Sequence, residues 1–319
     1  MKIVFHGDNA STFEPGLSGL LEMPHEIRVI SDAANGDGEA EALASADVVV
    51  GVHYAASDGP LSARLYQLPA AGYDKVDMAA LPEGCAACNA FGHENAIAEY
   101  VMCALLSRHV PLVDADARLR QGDWHYWAGG PDGLRTELGA QCIGIVGFGH
   151  IGKAVAARAQ AFGMTVHVAN RSAVSQVDVV AHPLGDVAKM AAKVDILINT
   201  LPLAAETEGL IGSEVFAAMP AHAIIMNVGR GPVIAEAPMY EALKEGRIGG
   251  AILDTWYVYP SAEAPHPMPA NLPFHELPNV LITPHMSGWT EGTIARRRDT
   301  VAENINRLAR GEALLNRLR

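Results

Sequence analysis

One glycine-rich hexapeptide, Gly147-Phe148-Gly149-His150-Ile151-Gly152, constrains this sequence more than any other stretch. A Gly-x-Gly-x-x-Gly pattern alone is weak evidence for a nucleotide-binding turn, so the residues on either side of it must be considered. An apolar run of strand length, residues 143–146, precedes it, and apolar residues then recur at helical spacing until Gly163. A strand, a tight turn and a helix in this order predict a dinucleotide-binding unit.

Each glycine of the hexapeptide has its own task in such a unit. Gly147 permits the turn, Gly149 lets the backbone approach a pyrophosphate without a Cβ, and Gly152 lets the helix pack closely on the strand. The free N–H groups and the positive dipole end of the helix then attract the phosphates. We therefore expect all six residues, 147–152, to belong to a cofactor site.

Bulk composition narrows the class of protein. The chain has 319 residues, 50% of them hydrophobic, which is enough for two domains with a core each. A formal charge of −13 disfavours nucleic acid or an anionic membrane as a partner. No apolar run reaches the roughly 18 residues of a membrane span, and four cysteines are few enough for a reducing compartment. We expect a soluble, cytoplasmic protein without a metal site.

The N-terminal third alternates apolar runs of strand length with helical pieces. This alternation predicts a parallel sheet covered on both faces. The expected strands are 2–5, 27–30, 47–52, 65–68 and 86–89, and the expected helical pieces are 39–46 and 60–64. Cys85 and Cys88 are spaced like a redox or metal pair, but no second pair accompanies them, so buried thiols are favoured.

Two helices and an aromatic arm are expected before the glycine motif, and a second strand-helix alternation is expected after it. The helices are placed at 95–108, between two domains, and at 111–124, and the arm at 124–135 is interpreted as a dimer surface. Six strand candidates, the number in a full doubly wound dinucleotide domain, follow at 143–146, 165–169, 195–200, 223–228, 250–254 and 280–283. Residues 260–273 are rich in proline and predict an ordered loop near the site.

The residue that meets the adenine ribose lies at the end of the second strand of such a domain. Here Asn170 holds that position, followed by Arg171 and Ser172. An aspartate would repel a 2′-phosphate, whereas an uncharged asparagine beside an arginine can accommodate one, because the guanidinium binds phosphate as a fork. The hypothesis is therefore NADP, with NAD as the alternative if Arg171 only stacks on the adenine.

Several stretches together resemble the D-isomer-specific 2-hydroxyacid dehydrogenase family. They are the glycine motif, Ala71–Asp77, Asn227–Gly231, Asp254–Trp256 and Thr283–Gly288, and they occur in the family's order over nearly the whole chain. The resemblance implies an α/β protein of two doubly wound parallel-sheet domains, with a Rossmann cofactor domain (105–289) inserted into a flavodoxin-like substrate domain (1–104 and 290–319). It also implies a homodimer formed through the cofactor domain.

The chemistry of two residues supports the resemblance. Arg230 and His285 each follow a predicted strand, at the carboxyl end where α/β sheets bind ligands. A guanidinium can grip the carboxylate of a 2-keto acid while polarising its carbonyl. An imidazole titrates near neutral pH and can donate a proton to the carbonyl oxygen as hydride reaches the carbon.

Further roles are implied by the resemblance alone. Asp254 would hold the nicotinamide side of the cofactor, and backbone N–H groups around Ala71 and Gly72 would bind the substrate carboxylate. The loop of Val52, His53 and Tyr54 would meet the variable end of the substrate. The remaining residues implied to contact the cofactor are Leu201, Pro202, Val228, Gly229, Ser287 and Gly288.

One position departs from the family pattern. A glutamate that pairs with the catalytic histidine is usual where this chain has Tyr259, so the implied catalytic set is Arg230, His285 and Tyr259. A phenol is neutral at pH 7, so it can bond the imidazole but does not stabilise an imidazolium as a carboxylate does. Glu263 and Glu276 are the alternative partners.

Two other functions stay open at this point. Formate dehydrogenases, of the same superfamily, have a neutral glutamine at this position, and their Trp-x-x-x-Pro, His-Pro and Pro-His-x-Ser-Gly features resemble Trp256–Pro260, His266-Pro267 and Pro284–Gly288. A non-catalytic binding protein that senses NAD(P)(H) is the other alternative. Intact Arg230 and His285 argue against the sensor.

Overall fold

The computed structural model describes residues 1–176, 178–261 and 264–319, which form two compact units. The first unit contains residues 1–93 and 289–319, and the second contains residues 94–288. The second unit is therefore inserted into the sequence of the first. The expected boundary after residue 104 falls within a helix, Glu94–His109, that belongs wholly to the second unit.

The first unit is built on a five-stranded parallel sheet. Its strands are β1 (Lys2–His6), β2 (Glu26–Ile30), β3 (Val48–Gly51), β4 (Leu65–Gln67) and β5 (Ala86–Cys88), in the order β2-β1-β3-β4-β5. Its α-helices are α1 (Asp8–Ser11), α2 (Glu39–Ala44) and, from the C-terminal stretch, α9 (Glu291–Arg310). This strand order is that of a flavodoxin-like doubly wound sheet.

Alternation along β1 shows how both faces of this sheet are covered. Ile3 and Phe5 pack into a cluster with Val301 and Ile305 of α9, whereas Val4 points into the opposite cluster. Because successive strand residues point to opposite faces, an uninterrupted apolar run fits a strand buried on both sides. The C-terminal helix therefore completes the core of the first unit.

A pair of buried amides ties α9 to the same sheet. Asn304 donates from Nδ2 to Oε1 of Gln67 at 2.7 Å, and Gln67 donates in turn to the carbonyl of Cys88 at 3.2 Å. Both amide side chains are fully buried, so each hydrogen bond replaces one that water supplies in the unfolded chain. These bonds fix the position of α9 on β4.

The second unit is built on a seven-stranded parallel sheet. Its strands are β6 (Cys142–Val146), β7 (Thr165–Asn170), β8 (Val180–Pro183), β9 (Ile196–Asn199), β10 (Ile224–Asn227), β11 (Gly250–Leu253) and β12 (Val280–Ile282). The order is β12-β11-β10-β9-β6-β7-β8, so the winding direction changes between β6 and β9. Ligands bind outside the carboxyl ends of the strands at such a point.

Over the described residues, the second unit contains six α-helices. They are α3 (Glu94–His109), α4 (Leu112–Leu119), α5 (His150–Ala161), α6 (Val187–Ala191), α7 (Ser213–Ala218) and α8 (Glu236–Lys244). One apolar cluster joins α3 and α5 to β6, and a second joins α6, α7 and α8 to the other face. The expected fold class, two doubly wound parallel α/β domains, is confirmed.

Three local predictions differ from the structure. The strand β8 was not expected, because its short segment is mostly exposed and ends in Pro183. Residues 60–64 form no helix; that piece is too short for helix nucleation without tertiary support. The helix expected at 111–124 ends at Leu119, and the residues of the aromatic arm follow as turns and irregular backbone.

Two further sequence features have a structural outcome. Within the described residues, no single helix is long and apolar enough to span a bilayer, although α3 and α4, joined at a 47° bend, meet the length and composition criteria as a pair. Cys85 and Cys88 are free and buried, and burial raises the pKa of Cys88 to about 11. A thiol with so high a pKa is unreactive at neutral pH, as expected for buried structural thiols.

Candidate active site

The predicted cofactor and catalytic residues of the second unit follow the carboxyl ends of its parallel strands. The glycine turn follows β6, Asn170 ends β7, Arg230 follows β10 and His285 follows β12. Because the strands are parallel and hydrogen-bonded in one sheet, their carboxyl ends share one edge. Residues that are far apart in the sequence are thereby gathered along that edge.

The three glycines of the motif occupy environments that match their three predicted tasks. Gly147 has φ +96°, a conformation that other residues rarely adopt. A Cβ on Gly152 would lie 2.2 Å from the carbonyl oxygen of Gly147, so only glycine lets the helix approach the turn. A Cβ on Gly149 would meet nothing within 4 Å, which leaves open space at the first residues of α5. The turn therefore fits a pyrophosphate.

The end of β7 is joined to the glycine turn. The side chain of Asn170 accepts a hydrogen bond from the backbone N–H of Phe148 at 3.1 Å and donates to the carbonyl of Ser172 at 3.0 Å. Arg171 is exposed and has no hydrogen bond or ion pair with any residue that the structure describes. Its guanidinium is thus available to an anionic group of a ligand, next to the asparagine that shapes the turn.

Two buried asparagines, Asn199 and Asn227, shape the loops after β9 and β10, and this structural role was not recognised in the sequence. Asn199 donates to the side-chain oxygen of Asn227 at 2.9 Å, and its own oxygen accepts from the N–H of Leu201 at 3.1 Å. Asn227 accepts from the N–H of Gly229 and donates to the carbonyl of Arg230. Each asparagine ends an apolar strand, and this repeated pattern was the available signal.

Arg230 lies on the loop that these asparagines hold. Its side chain is partly exposed, and one guanidinium N–H bonds the carbonyl of Gly229 at 3.0 Å. The next residue, Gly231, is so close to the β11 loop that a Cβ would lie 2.2 Å from the carbonyl oxygen of Trp256. The arginine loop and the Trp256 loop are therefore in direct backbone contact.

Asp254 organises the loop that carries His285. Its fully buried carboxylate accepts hydrogen bonds from Thr283 Oγ1 at 2.6 Å, from Met286 N at 2.8 Å and from Ser287 N at 3.0 Å. These bonds surround His285, which has the left-handed backbone value φ +58°. The nicotinamide contact implied for Asp254 and the cofactor contact implied for Ser287 stay predictions; in the structure, the bond between these two residues holds the histidine loop.

The structure brings Tyr259 and His285 together. The phenol oxygen lies 2.9 Å from Nδ1 of the imidazole, and it also accepts a hydrogen bond from the backbone N–H of Trp256 at 3.1 Å. The indole N–H of Trp256 donates to the carbonyl of Thr283 at 2.7 Å. The buried Trp256 thus bonds the phenol and also the backbone two residues before the histidine.

Tyr100 of α3 extends this network and was missed in the sequence. Thr283 uses its hydroxyl proton to bond Asp254, so the hydroxyl of Tyr100, 2.7 Å away, is the donor to Thr283. Burial raises the pKa of Tyr100, which keeps this phenol protonated and able to donate. No local sequence signal indicated this contact, because the two residues are 183 positions apart.

The other expected partners of His285 are placed as follows. Glu263 lies outside the described residues. Glu276 ends a short 3₁₀ turn, Phe274–Glu276, and its carboxylate is 3.8 Å from His275. The proline-rich segment is a loop over its described part, as expected.

The substrate residues expected in the first unit lie at the carboxyl ends of β3 and β4. Tyr54 is buried in the core, and its hydroxyl donates to the carbonyl of Gly59 at 2.9 Å. Ala71 and Gly72 are partly exposed, and the carbonyl of Ala71 accepts from Asn89 at 2.8 Å. The substrate contacts of these three residues stay predictions, and the ring of Tyr54 is already enclosed by its own loop.

Substitutions at the glycines of the motif distinguish an effect on folding from an effect on cofactor binding. Gly149→Ala adds a methyl to open space, so we expect an unchanged melting temperature but a roughly tenfold or greater loss of dinucleotide affinity, because the methyl occupies the space of the pyrophosphate. Gly152→Ala forces the helix from the turn, so we expect both a lower melting temperature and weaker binding. Calorimetric titration and thermal unfolding measure the two effects.

Gly185→Ala is the matched control, since its Cβ also meets nothing within 4 Å. It lies away from the turn and is expected to leave both quantities unchanged. Equal dinucleotide affinity for Gly149→Ala and the unsubstituted protein would contradict the assignment of the glycine turn to a pyrophosphate.

Comparisons with known proteins agree with this geometry. The profile of the D-isomer specific 2-hydroxyacid dehydrogenase NAD binding domain matches residues 101–287. D-3-phosphoglycerate dehydrogenase of Methanocaldococcus jannaschii is 33% identical over 259 residues, 77% of this chain and 45% of that protein. Glyoxylate reductase of Korarchaeum cryptofilum is 32% identical over 249 residues, 76% of this chain and 72% of that protein.

Similarity to a solved structure extends over nearly the whole chain. The NADPH-dependent glyoxylate/hydroxypyruvate reductase of Sinorhizobium meliloti, in complex with NADP and malonate, superposes with a TM-score of 0.80 and 25% identity. The alignment covers 99% of this chain and 96% of that one. The chain therefore belongs to the D-isomer specific 2-hydroxyacid dehydrogenase family, and its second unit contains the NAD(P)-binding domain of that family.

Proposed function

We propose that this protein is a reductase of small 2-keto acids that prefers NADPH and forms the D-2-hydroxy acid. The observation that carries the proposal is the set of groups at one edge of the second sheet. A glycine turn with room for a pyrophosphate, an arginine, and a histidine with a hydrogen-bonded partner follow β6, β10 and β12. A bound reduced nicotinamide would supply the hydride.

Arg230 is proposed to bind the substrate. A 2-keto acid carries a carboxylate next to its carbonyl, and a guanidinium can donate to both groups at once. As hydride adds, negative charge grows on the carbonyl oxygen, and a fixed positive charge stabilises it more than it stabilises the ground state. The buried asparagines that hold this loop keep the charge in place without reorganisation.

His285 is proposed to be the proton donor in this reduction. An imidazole N–H directed at the carbonyl oxygen supplies the proton that converts the alkoxide to a hydroxyl. The loop bonds to Asp254 and the contact with Tyr259 restrict the rotation of the ring. General acid catalysis of this kind contributes typically about 10² to 10⁴-fold.

The names of the relatives support the choice of substrate. The Korarchaeum relative is a glyoxylate reductase, and the Sinorhizobium structure is a glyoxylate/hydroxypyruvate reductase. Both names describe reduction of small 2-keto acids. Glyoxylate and hydroxypyruvate are therefore the first substrates to test, and the family to which the chain belongs supports the proposed specificity for the D-isomer.

The preference for NADPH is supported by the end of β7. Asn170 carries no charge to repel a 2′-phosphate, and the exposed guanidinium of Arg171 is free to pair with one. The Sinorhizobium enzyme, named as NADPH-dependent, was solved with NADP. The adenine-stacking role of Arg171 is the competing explanation, and it predicts no distinction between the two cofactors.

A homodimer formed through the second unit is also proposed. Helix α4 has no buried residue, and large apolar side chains are exposed on it and on the following arm: Leu112, Val113, Trp124, Trp127 and Leu134. Contiguous exposed apolar side chains of this size are typical of a protein interface. Leu112, Trp127 and Leu134 line one cleft of the second unit, and the family resemblance, which implies a dimer through the cofactor domain, favours a second copy of the chain as the partner. A cytoplasmic location is proposed as well, supported by four free cysteines.

Turnover of the purified protein tests the reaction. With NADPH, glyoxylate and hydroxypyruvate should be reduced, as measured by loss of cofactor absorbance. His285→Asn should lower kcat by roughly 10² to 10⁴-fold, and Arg230→Lys should lower kcat/KM because a lysine lacks the fork. His222→Asn is the control, because His222 also pairs with another side chain, Asp195 at 2.7 Å, but is not among the candidate site residues. Cofactor binding without turnover of any 2-keto acid would support a sensor instead.

Arg171→Ala tests the cofactor preference. Removal of the guanidinium should raise the KM for NADPH about tenfold or more, through loss of a charge-assisted bond of roughly 1.5–3 kcal/mol, and should leave the KM for NADH nearly unchanged. Steady-state kinetics with each cofactor measure both values. A parallel rise in both would show that Arg171 stacks on the adenine, and a lower KM for NADH in the unsubstituted enzyme would reverse the preference.

Leu134→Glu tests the dimer. Leu134 is 89% exposed in the single chain, so a charge there should not affect its folding but should oppose burial in an interface. Sedimentation velocity should show a dimer for the unsubstituted protein and a shift to monomer for the variant. Leu20→Glu, at an exposed leucine of the first unit, should remain dimeric. A monomeric unsubstituted protein would refute the proposed interface.

A further inference from the structure

We propose that Asp32 and His53, at the carboxyl edge of the first sheet, bind a hydroxyl group of the ligand and select a 2-keto acid with a hydroxyl on its third carbon. Hydroxypyruvate is the simplest acid of this class. The choice of substrate rests on the proposed reductase function, whereas the binding of a hydroxyl group by the two side chains does not.

The two residues lie where sheets of this type bind ligands. In the order β2-β1-β3-β4-β5, the winding direction changes between β1 and β3, and ligands bind outside the carboxyl ends of the strands at such a point. Gly7 directly follows β1, Asp32 lies two residues after β2, and His53 lies two residues after β3. Three loops thus bring a glycine, a carboxylate and an imidazole to this edge.

Asp32 is held by contacts with the ends of β1 and β3. Its backbone carbonyl accepts hydrogen bonds from Nε2 of His6 at 3.0 Å and from Nε2 of His53 at 3.4 Å. Its carboxylate accepts a bond through Oδ2 from the backbone N–H of Asp8 at 3.3 Å. Gly7 permits this arrangement, because a Cβ there would overlap the carboxylate. Both the backbone and the side chain of Asp32 are therefore restrained.

A buried tyrosine fixes the backbone of His53. The hydroxyl of Tyr66, a fully buried residue of β4, donates to the carbonyl of His53 at 2.6 Å. This hydroxyl reaches the loop because Gly51 has no side chain, and a Cβ there would overlap it. The loop is thus held through its backbone, so a change in the imidazole should leave the loop in place.

The carbonyl of Asp32 fixes one proton on each ring. A carbonyl oxygen only accepts, so both imidazoles donate to it from Nε2. Burial, and next the neighbouring His53, lower the pKa of His6, so His6 is neutral and its one proton is in this bond. Nδ1 of His6 is buried and has no hydrogen-bond partner in the described part of the chain. Such a group is costly, and natural proteins depart from this rule mainly at functional sites.

Two polar atoms at this edge are left to bind a ligand. Nδ1 of His53 faces Oδ1 of Asp32 at 3.8 Å, which is too long for a direct hydrogen bond but accommodates a bridging oxygen. Among the residues that the structure describes, neither atom has a hydrogen-bond partner. The two side chains are 28% and 58% exposed, so a small molecule reaches both.

A hydroxyl group fits this pair in either protonation state of the imidazole. With a proton on Nδ1, the hydroxyl accepts from the nitrogen and donates to the carboxylate; without that proton, it donates to one of the two acceptors. A methyl group would desolvate both atoms without bonding either. A carboxylate would meet the negative charge of Asp32. The pair therefore favours a hydroxymethyl substituent over an apolar or an anionic one.

The order of the strands indicates which carbon carries the hydroxyl. The substrate carboxylate is predicted to bind backbone N–H groups around Ala71 and Gly72, in the loop after β4. Strand β4 is the neighbour of β3, and neighbouring strands lie about 4.8 Å apart. The terminal hydroxyl of a three-carbon acid is separated from its carboxylate by a comparable length, so it reaches the loop after β3. Glyoxylate has no third carbon and serves as the reference substrate.

Kinetics with three acids test the selection. The unsubstituted enzyme should reduce hydroxypyruvate with a kcat/KM at least tenfold above that for pyruvate. His53→Leu should lower this ratio about tenfold, through loss of a hydrogen bond, and should leave kcat/KM for glyoxylate unchanged. His53→Gln, which keeps a hydrogen-bonding group, should retain most of the preference. An unchanged ratio in His53→Leu, with glyoxylate reduction intact, overturns the proposal.

Asp32→Asn tests the exclusion of an anion. Oxaloacetate carries a second carboxylate on its third carbon, so removal of the charge should raise its kcat/KM by roughly two- to fivefold, the size expected for charges near solvent. The value for glyoxylate should not change. An equal change for both acids would contradict a contact between Asp32 and the substituent.

Two matched controls lie at the opposite edge of the same sheet. His25 directly precedes β2, and Asp47 directly precedes β3, where its carboxylate accepts a hydrogen bond from the N–H of Lys2 at 2.7 Å. His25→Leu and Asp47→Asn repeat the two chemical changes away from the carboxyl ends of the strands. Both variants should keep the substrate ratios of the unsubstituted enzyme.

Nitrogen NMR tests hydroxyl binding without turnover. Histidine rings are labelled with ¹⁵N, and the His53 signals are identified by their loss in His53→Gln. D-Glycerate, the product of hydroxypyruvate reduction, should shift these signals, whereas D-lactate, which lacks the terminal hydroxyl, should not. Equal shifts with both acids, or no shift with D-glycerate, overturn the proposal. If the protein reduces no 2-keto acid, the proposed function fails, and this titration still decides whether His53 binds a hydroxyl group.

Discussion

The buried carboxylate of Asp254 is the interaction on which the arrangement of the second unit's candidate site depends. A carboxylate with no contact to water is costly unless its lone pairs are satisfied. Here a hydroxyl and two backbone N–H groups satisfy them, and all three come from the loop after β12. The cost of burial and the shape of that loop are therefore linked: the loop cannot relax without leaving a buried charge unbonded.

This link explains a strained feature of the site. His285 adopts φ +58°, which a histidine tolerates better than most residues but still disfavours. Backbone strain of this kind, of the order of 1–3 kcal/mol, persists only where surrounding bonds over-determine it. The bonds to Asp254 on the following residues and the indole bond to Thr283 before it provide that restraint.

Much of the fold was predictable because its signals are local. The glycine motif places its strand, turn and helix within some twenty residues, and the structure reproduces each glycine's separate constraint. The exposed strand β8 escaped prediction because an edge strand needs little apolar sequence and tolerates Pro183 at its end. Residues 60–64 were predicted to be helical from local sequence alone, but a segment this short forms a helix only when tertiary contacts support it.

The sequence was sufficient to name candidate residues for the site but not the hydrogen bonds that support them. Arg230, His285 and Tyr259 were recognised by the motifs around them, but the supporting contacts join positions that are distant in sequence. Tyr100 reaches Thr283 across 183 positions, and no local periodicity encodes such a pair. Asn199 and Asn227 did have a sequence signal. Each is a polar residue at the end of an apolar strand, where a further apolar residue would be expected.

The two loops that carry the candidate residues Arg230 and His285 are held by different chemistry. The loop of Arg230 is held by the neutral amides of Asn199 and Asn227, which satisfy backbone groups without adding an anion beside the guanidinium. The loop of His285 is held by the carboxylate of Asp254. This carboxylate accepts hydrogen bonds from a hydroxyl and from two backbone N–H groups. In the proposed reduction, a substrate carboxylate at Arg230 would break none of these supporting bonds, because none of them involves the guanidinium. A phenol contacts the imidazole of His285, so this partner is neutral at pH 7 whereas the usual partner in the family is a carboxylate.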